Sequence, residues 1–168
     1  MKTTFSRIRE NEPCTSGWRE LVEYYNPEDY KQEISIEQIL KSNGIKDAVW
    51  ALRCIDDENS VLLFCADVAE SVLDIFEKER PDDKRPRAAI LAIRRYVKKE
   101  ISVKELTAAA YAAYTCAYDT AIDAAIDAAC AANCAAYACA HDTACAATSA
   151  ADGKWEEIET ILKKYLKR

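Results

Sequence analysis

The chain has 168 residues, with 29 acidic and 23 basic side chains, one His, 3 Gly and 4 Pro, and a formal charge of −6. That balance leaves no basic stripe to neutralise phosphates, so direct nucleic-acid binding is not expected. Three dispersed glycines exclude a Gly-rich phosphate loop, one His excludes multi-His metal catalysis, and scarce Gly and Pro exclude a turn-rich all-β fold.

The elements follow in chain order. Phe5 and Ile8 give a short apolar side before Pro13. Ser16 is placed to cap a helix carrying Trp18, Leu21, Val22 and Tyr25, which stops at Asn26-Pro27. Ser35-Ile36-Glu37-Gln38 is a capping-box pattern, closed downstream by Asn43-Gly44. A helix from Lys46 to Ile55 would present Val49, Trp50 and Leu52. Asn59 or Ser60 then caps a helix running to Glu79, with Leu62, Cys65, Ala66, Ala69, Val72, Leu73 and Phe76 on one stripe. Pro81 ends it, Pro86 suits a first helical position, and Ile90, Ile93 and Val97 supply the next buried face.

Ser102-Val103-Lys104-Glu105 is a second capping box. From Thr107 to Ala151 about half the residues are Ala, the best helix former. One helix of that length would span roughly 65–70 Å, too long for a compact domain. A fold-back is therefore expected near Asp127–Asn133, although no Gly or Pro marks it. Gly153 is a natural stop before a last amphipathic helix with Trp155, Ile158, Ile161, Leu162 and Tyr165. The expected fold is all-α, a compact multi-helix bundle with closely packed Ala-rich helices. The expected organisation is a small helical subdomain over 1–56 and an Ala-rich domain over 57–168, able to pack as one unit.

The N-terminus lacks an apolar signal core, and no stretch is apolar enough to span a membrane, so a cytoplasmic protein is expected. The eight cysteines are then expected to stay reduced, chiefly as small core residues. Cys130/Cys134 and His141/Cys145 are i,i+4 pairs, and two such pairs facing one another would make a tetrahedral zinc site. Cys130 and Cys145 are too far apart on an uninterrupted helix for one ion, so the reading favours no metal and no cofactor.

Arg85 and Arg87, with Lys84, open a helix and could hold an anion; Asp67, Glu70, Asp82 and Asp83 are available to neutralise them. Tyr111, Tyr114 and Tyr118 are amphipathic anchors in a field of Ala, suited to an interface. No nucleophile–base pair stands out for catalysis: a Ser/His/Asp set would need His141, which lies in the Ala-rich helix, and no Gly-containing elbow flanks a Ser.

Leu63 to Glu77, followed by Asp82-Asp83-Lys84-Arg85-Pro86-Arg87-Ala88-Ala89-Ile90, resembles a bacterial family of immunity proteins of polymorphic toxin systems. The shared pattern is an acidic helix, an Arg-Pro turn, an Ala-Ile helix and a long Ala-rich tail, over about residues 60–151. This tail departs from the usual one in its many Cys and Tyr. Cys14–Gly17 and Ser42–Arg53 are similar to segments that precede such a domain in phage and prophage proteins of unassigned role. The resemblance implies a non-enzymatic inhibitor, bacterial or phage-encoded, that binds and occludes a toxin or a defence protein. The alternatives are a sponge for an anionic small molecule or nucleotide signal, built on the arginines, and a zinc or thiol-redox protein, built on Cys130, Cys134, His141 and Cys145. Ala-rich faces also pair readily, so a homodimer is compatible with the sequence.

Overall fold

The computed structural model describes residues 1–118, 123–137 and 140–167, with 117 and 118 as backbone only. Eleven α-helices and one small sheet make up the described residues. A short strand β1 (Lys2–Thr4) runs into α1 (Phe5–Glu10), with Thr4 accepting the Arg7 N–H as its cap. Then come α2 (Thr15–Tyr25), β2 (Glu33–Ser35), α3 (Ile36–Asn43), α4 (Ile45–Ala51) and a 3-10 turn over Leu52–Cys54. The larger part follows with α5 (Glu58–Glu70), α6 (Leu73–Glu79), α7 (Arg85–Val97), α8 (Val103–Tyr118), α9 (Asp123–Ala136), α10 (Ala140–Ala150) and α11 (Trp155–Leu166).

Both capping boxes form. Ser35 Oγ accepts the Gln38 N–H at 3.1 Å while Gln38 Oε1 accepts the Ser35 N–H at 3.0 Å. Glu105 Oε2 accepts the Ser102 N–H at 2.8 Å, and Ser102 Oγ accepts the Glu105 N–H in return. Four local expectations are corrected. The cap of α2 is Cys14, whose Sγ accepts the Gly17 N–H at 3.4 Å; Ser16 lies inside the first turn. The cap of α5 is Asp57, two or three residues earlier than expected. The helix expected to reach Glu79 breaks at Ser71–Val72. There the Ser71 hydroxyl turns back onto the Val68 carbonyl, and the Lys154 ammonium donates to the freed Ser71 carbonyl at 2.6 Å. The helix expected from Lys46 to Ile55 is regular only to Ala51.

The strands were not expected. They pair antiparallel, Thr3 opposite Ile34, and the Thr3 hydroxyl donates to the Cys54 carbonyl at 2.6 Å. This sews the N-terminus to the 3-10 turn, over a core of Phe5, Ile8, Leu21, Ile34, Ile36, Ile39 and Leu52.

Among the described residues, the Ala-rich segment forms the three helices α8, α9 and α10. The expected fold-back at Asp127–Asn133 is corrected, because those residues lie within α9, which runs unbroken from Asp123 to Ala136. Helix α9 packs against α5, α6, α7, α8 and α10. It does so through methyl groups: Ala125, Ala128, Ala129, Ala131, Ala132, Ala135 and Ala136 are buried. The volume comes from its neighbours, with Phe64 and Leu62 on α5, Leu73 and Phe76 on α6, and Ile90 and Ile93 on α7. Small residues on one helix set against large ones on those around it are a complementary way to fill an interior. Helices α10 and α4 also pack together, with small residues buried on both: Ala144 and Ala147 on one and Ala48 and Ala51 on the other. The buried apolar residues among those described form one cluster.

Because α9 is surrounded, an added side-chain volume has nowhere to go. Ala132→Leu is expected to destabilise the fold by about 1–3 kcal/mol despite its larger apolar surface. Urea unfolding measures this, and equal or greater stability would contradict the packing account.

Candidate protein-binding face

Helix α7 carries its cations toward α5 and α6, where carboxylates meet them. Arg87 makes a two-pronged contact with Glu77, Nε to Oε1 at 2.7 Å and Nη2 to Oε2 at 2.6 Å. Arg94 Nη2 bridges Asp67 at 2.8 Å and Glu70 at 2.6 Å. The Tyr165 hydroxyl donates to the second Asp67 oxygen at 2.6 Å, which ties α11 into the same knot. Arg85 forks onto Asp83 at 2.6–3.1 Å and reaches the Thr115 hydroxyl of α8. Asp67 and Glu70 thus meet Arg94, while Arg85 and Arg87 are held by nearer acids. The Arg87 guanidinium holds the Glu77 carboxyl below its usual range, and Arg85 does the same for Asp83. This group of charges fastens α7 to α5 and α6; it does not present an open anion site.

The tyrosines are arranged differently. Val103, Thr107, Tyr111 and Tyr114 recur at helical spacing along one side of α8, as their sequence positions require. Val103 is 62% exposed, Tyr111 64% and Tyr114 40%. The opposite side of the helix buries Leu106, Ala110 and Ala113. The rings of Tyr111 and Tyr114 lie 6.4 Å apart, as neighbours. The Tyr118 side chain, like Asp119 and Cys139, lies outside the described residues.

Four residues separate α8 from α9, and the two helices pack together, so they run antiparallel. Tyr114 therefore lies level with the first turns of α9, where Asp123 is exposed and Asp127 half-buried. Asp127 is raised above its usual range, first by burial and then by Asp123. The next residue on that stripe, Cys130, has its thiol raised by burial and by Asp127. Beyond Lys104 in the first turn of α8, the formal charges of α8 and α9 have one sign. From Glu105 to Gly153 the sequence holds no Lys or Arg, while acids recur throughout. That run was legible in the sequence, yet the tyrosines alone did not reveal it.

The two Cys/His pairs do not converge. The Cys145 Sγ lies 3.6 Å from the His141 Nδ1, within α10. Cys130 and Cys134 stand on α9, and no three potential ligands come together among the described residues. Burial first, and then Asp142, raises the Cys145 thiol.

A separate cleft of about 300 Å³ opens where α2, α4 and the start of α10 meet. Ile8, Pro13, Cys14, Gly17, Trp18, Leu21, Ile39, Asn43, Lys46, Asp47, Trp50, Ala51 and His141 line it. Gly17 permits the close approach of α2 to α4, since a Cβ there would sit 2.5 Å from Asp47 Oδ2. Sequence reading missed this cleft, whose walls come from residues 133 positions apart, 8 to 141. No helix among the described residues is long and apolar enough to cross a membrane.

The pairing of Glu77 has a pH consequence. A carboxyl whose folded pKa is depressed contributes stability above its unfolded value and loses it as pH falls through the folded one. Arg87→Ala is expected to flatten that part of the acid limb, so wild type and variant converge in stability below the folded pKa of Glu77. Chemical denaturation from neutral to acid pH checks this; a constant gap between the two proteins would contradict it.

A family model described as Imm-5 like putative immunity protein matches residues 48–151. The match starts earlier than the resemblance in the sequence suggested and covers α5 to α10 with most of α4. No curated protein and no solved structure matches the chain.

Proposed function

The chain belongs to this family of Imm-5 like immunity proteins, and from that premise we propose that it is a non-catalytic inhibitor that binds a basic protein toxin through α8 and α9. Membership suggests an inhibitor with a protein partner. The finer reading rests on one observation. The exposed Tyr111–Tyr114 pair, continued by Val103 beside Lys104 at the start of α8, lies in a run from Glu105 to Gly153 that carries acids and no Lys or Arg. Tyr supplies large contact area at low entropic cost and keeps a hydrogen-bonding hydroxyl. Asp123 and Asp127 give the rim a negative potential that speeds the approach of a basic partner.

The mechanism is occlusion. A rigid helical pair covers the toxin's working surface, and the inhibitor contributes no reacting group. The toxin of a polymorphic toxin system, or a defence protein with a basic surface, fits this chemistry. The cytoplasm is where such a toxin would be met. The sponge reading needs open arginines, whereas Arg87 and Arg94 are each engaged by carboxylates. The zinc reading needs the two Cys/His pairs in one place, and the described residues do not put them there.

The Tyr111→Ala/Tyr114→Ala double variant is expected to weaken toxin binding by about 2–4 kcal/mol. Its melting temperature should stay near that of the wild type, because both side chains face solvent. Calorimetry or surface plasmon resonance with the purified toxin measures the loss, and survival of toxin-expressing cells reports it in vivo. Unchanged affinity would move the interface elsewhere.

A further inference from the structure

A docking inhibitor has no use for the cleft at α2, α4 and α10, which lies largely on the N-terminal helices that precede the family match at residue 48. Its volume of about 300 Å³ falls in the range of clefts that hold small organic molecules. The walls are apolar, with Ile8 and Leu21 as aliphatic surfaces and Trp18 and Trp50 as flat aromatic ones.

The lining carries one ammonium, Lys46, one carboxylate, Asp47, and the His141 imidazole, and the two charges are not paired with each other. Asp47 is the one acid in the lining, and its carboxylate is already engaged. It accepts from the Asn43 amide at 3.0 Å and lies against Gly17, as part of the wall. Lys46 and His141 stand on the side where α4 faces α10. The positive field of Lys46 reaches Cys145, one turn beyond His141. Its ammonium also lies 5.8 Å from the Trp155 ring, and Asp142, exposed, is 3.6 Å from His141 Nδ1. Lys46 is exposed, and its ammonium has no carboxylate within ion-pair distance among the described residues, so it is free to meet an anion from solution.

We propose that this cleft binds a small organic anion with an aromatic or branched apolar body, its head on Lys46 and His141 and its body between Trp18 and Trp50. The ammonium and an imidazole N–H donate to the head group, and burial of the body supplies most of the affinity. The site shares no residue with the α8 stripe, so either reading can fail without the other.

Two reporters are built in. Trp18 and Trp50 line the cleft, and Cys14 at its mouth is exposed. The probes are 4-phenylbutyrate, 4-phenylbutanol and 4-phenylbutylamine, which share a body and differ in head charge. Tryptophan emission is expected to saturate with the carboxylate at a Kd at least about tenfold below that of the alcohol or amine. Bound carboxylate should also slow alkylation of Cys14 by iodoacetamide, read by peptide mass spectrometry on the native chain. Lys46→Met should abolish the preference for the carboxylate, and Tyr111→Ala should leave it intact. Saturation without protection of Cys14 would overturn the proposal. So would equal binding of all three probes, an unaltered preference in Lys46→Met, or no saturation by the carboxylate at millimolar concentration.

Discussion

Contact between the methyl groups of α9 and the larger side chains around it sets the spacing of the helices that follow the first third of the chain. A helix whose buried face is Ala125, Ala128, Ala129, Ala131, Ala132, Ala135 and Ala136 has shallow ridges, so its neighbours can approach closely. Each methyl buries little area, on the order of 0.8 kcal/mol per buried carbon. The stability therefore comes from dense dispersion contacts, from the helix propensity of Ala, and from Phe64, Phe76, Ile90 and Ile93 pressing in from α5, α6 and α7. Close packing of this kind tolerates loss or gain of volume poorly. It also gives a stiff support on which an exposed stripe of α8 holds a fixed shape, as a pre-organised interface requires.

Charge is segregated along the same lines. Two cations of α7 face the acids of α6 and α5 and are engaged in the fold, Arg87 by Glu77 and Arg94 by Asp67 and Glu70, with Tyr165 closing over Asp67. From Glu105 to the end of α10 the chain is rich in Ala, Tyr, Cys and acids and holds no Lys or Arg; Lys104, at the start of α8, is the one such cation of these three helices among the described residues. One arrangement thus fastens the bundle and leaves a face whose sign suits a basic partner. The N-terminal helices add a different surface, an apolar cleft rimmed by Lys46 and His141, where Gly17 lets α2 settle against α4.

Much of the fold was legible where side chains carry local instructions. Ser35 with Gln38, and Ser102 with Glu105, start helices as expected because a capping box satisfies backbone donors from within four residues. Pro81 and Gly153 stop them for equally local reasons. Other features depend on distant partners. The Ser71 break is held by Lys154, 83 residues away, and the three-residue strands exist because Thr3 reaches Cys54. The Ala-rich segment hid its own divisions, since Ala suits a buried or an exposed position equally and leaves no periodicity to read. Of the site, the tyrosine stripe was visible at its helical spacing; acids able to neutralise the arginines were also named, but not the pairing, since Arg87 takes Glu77 and Asp67 and Glu70 take Arg94. The cleft was not visible at all, because Trp18, Lys46, Trp50 and His141 meet only in three dimensions.

The most direct test of this account is native-state hydrogen exchange along α9. If the helix is enclosed by five others through its methyl face, the amides of Ala128, Ala131, Ala132 and Ala135 exchange only by global unfolding. Their rates should then follow the same denaturant dependence as the core amides of α5. Exchange of α9 by local opening, orders of magnitude faster than α5 and insensitive to denaturant, would contradict the claim that this helix organises the bundle.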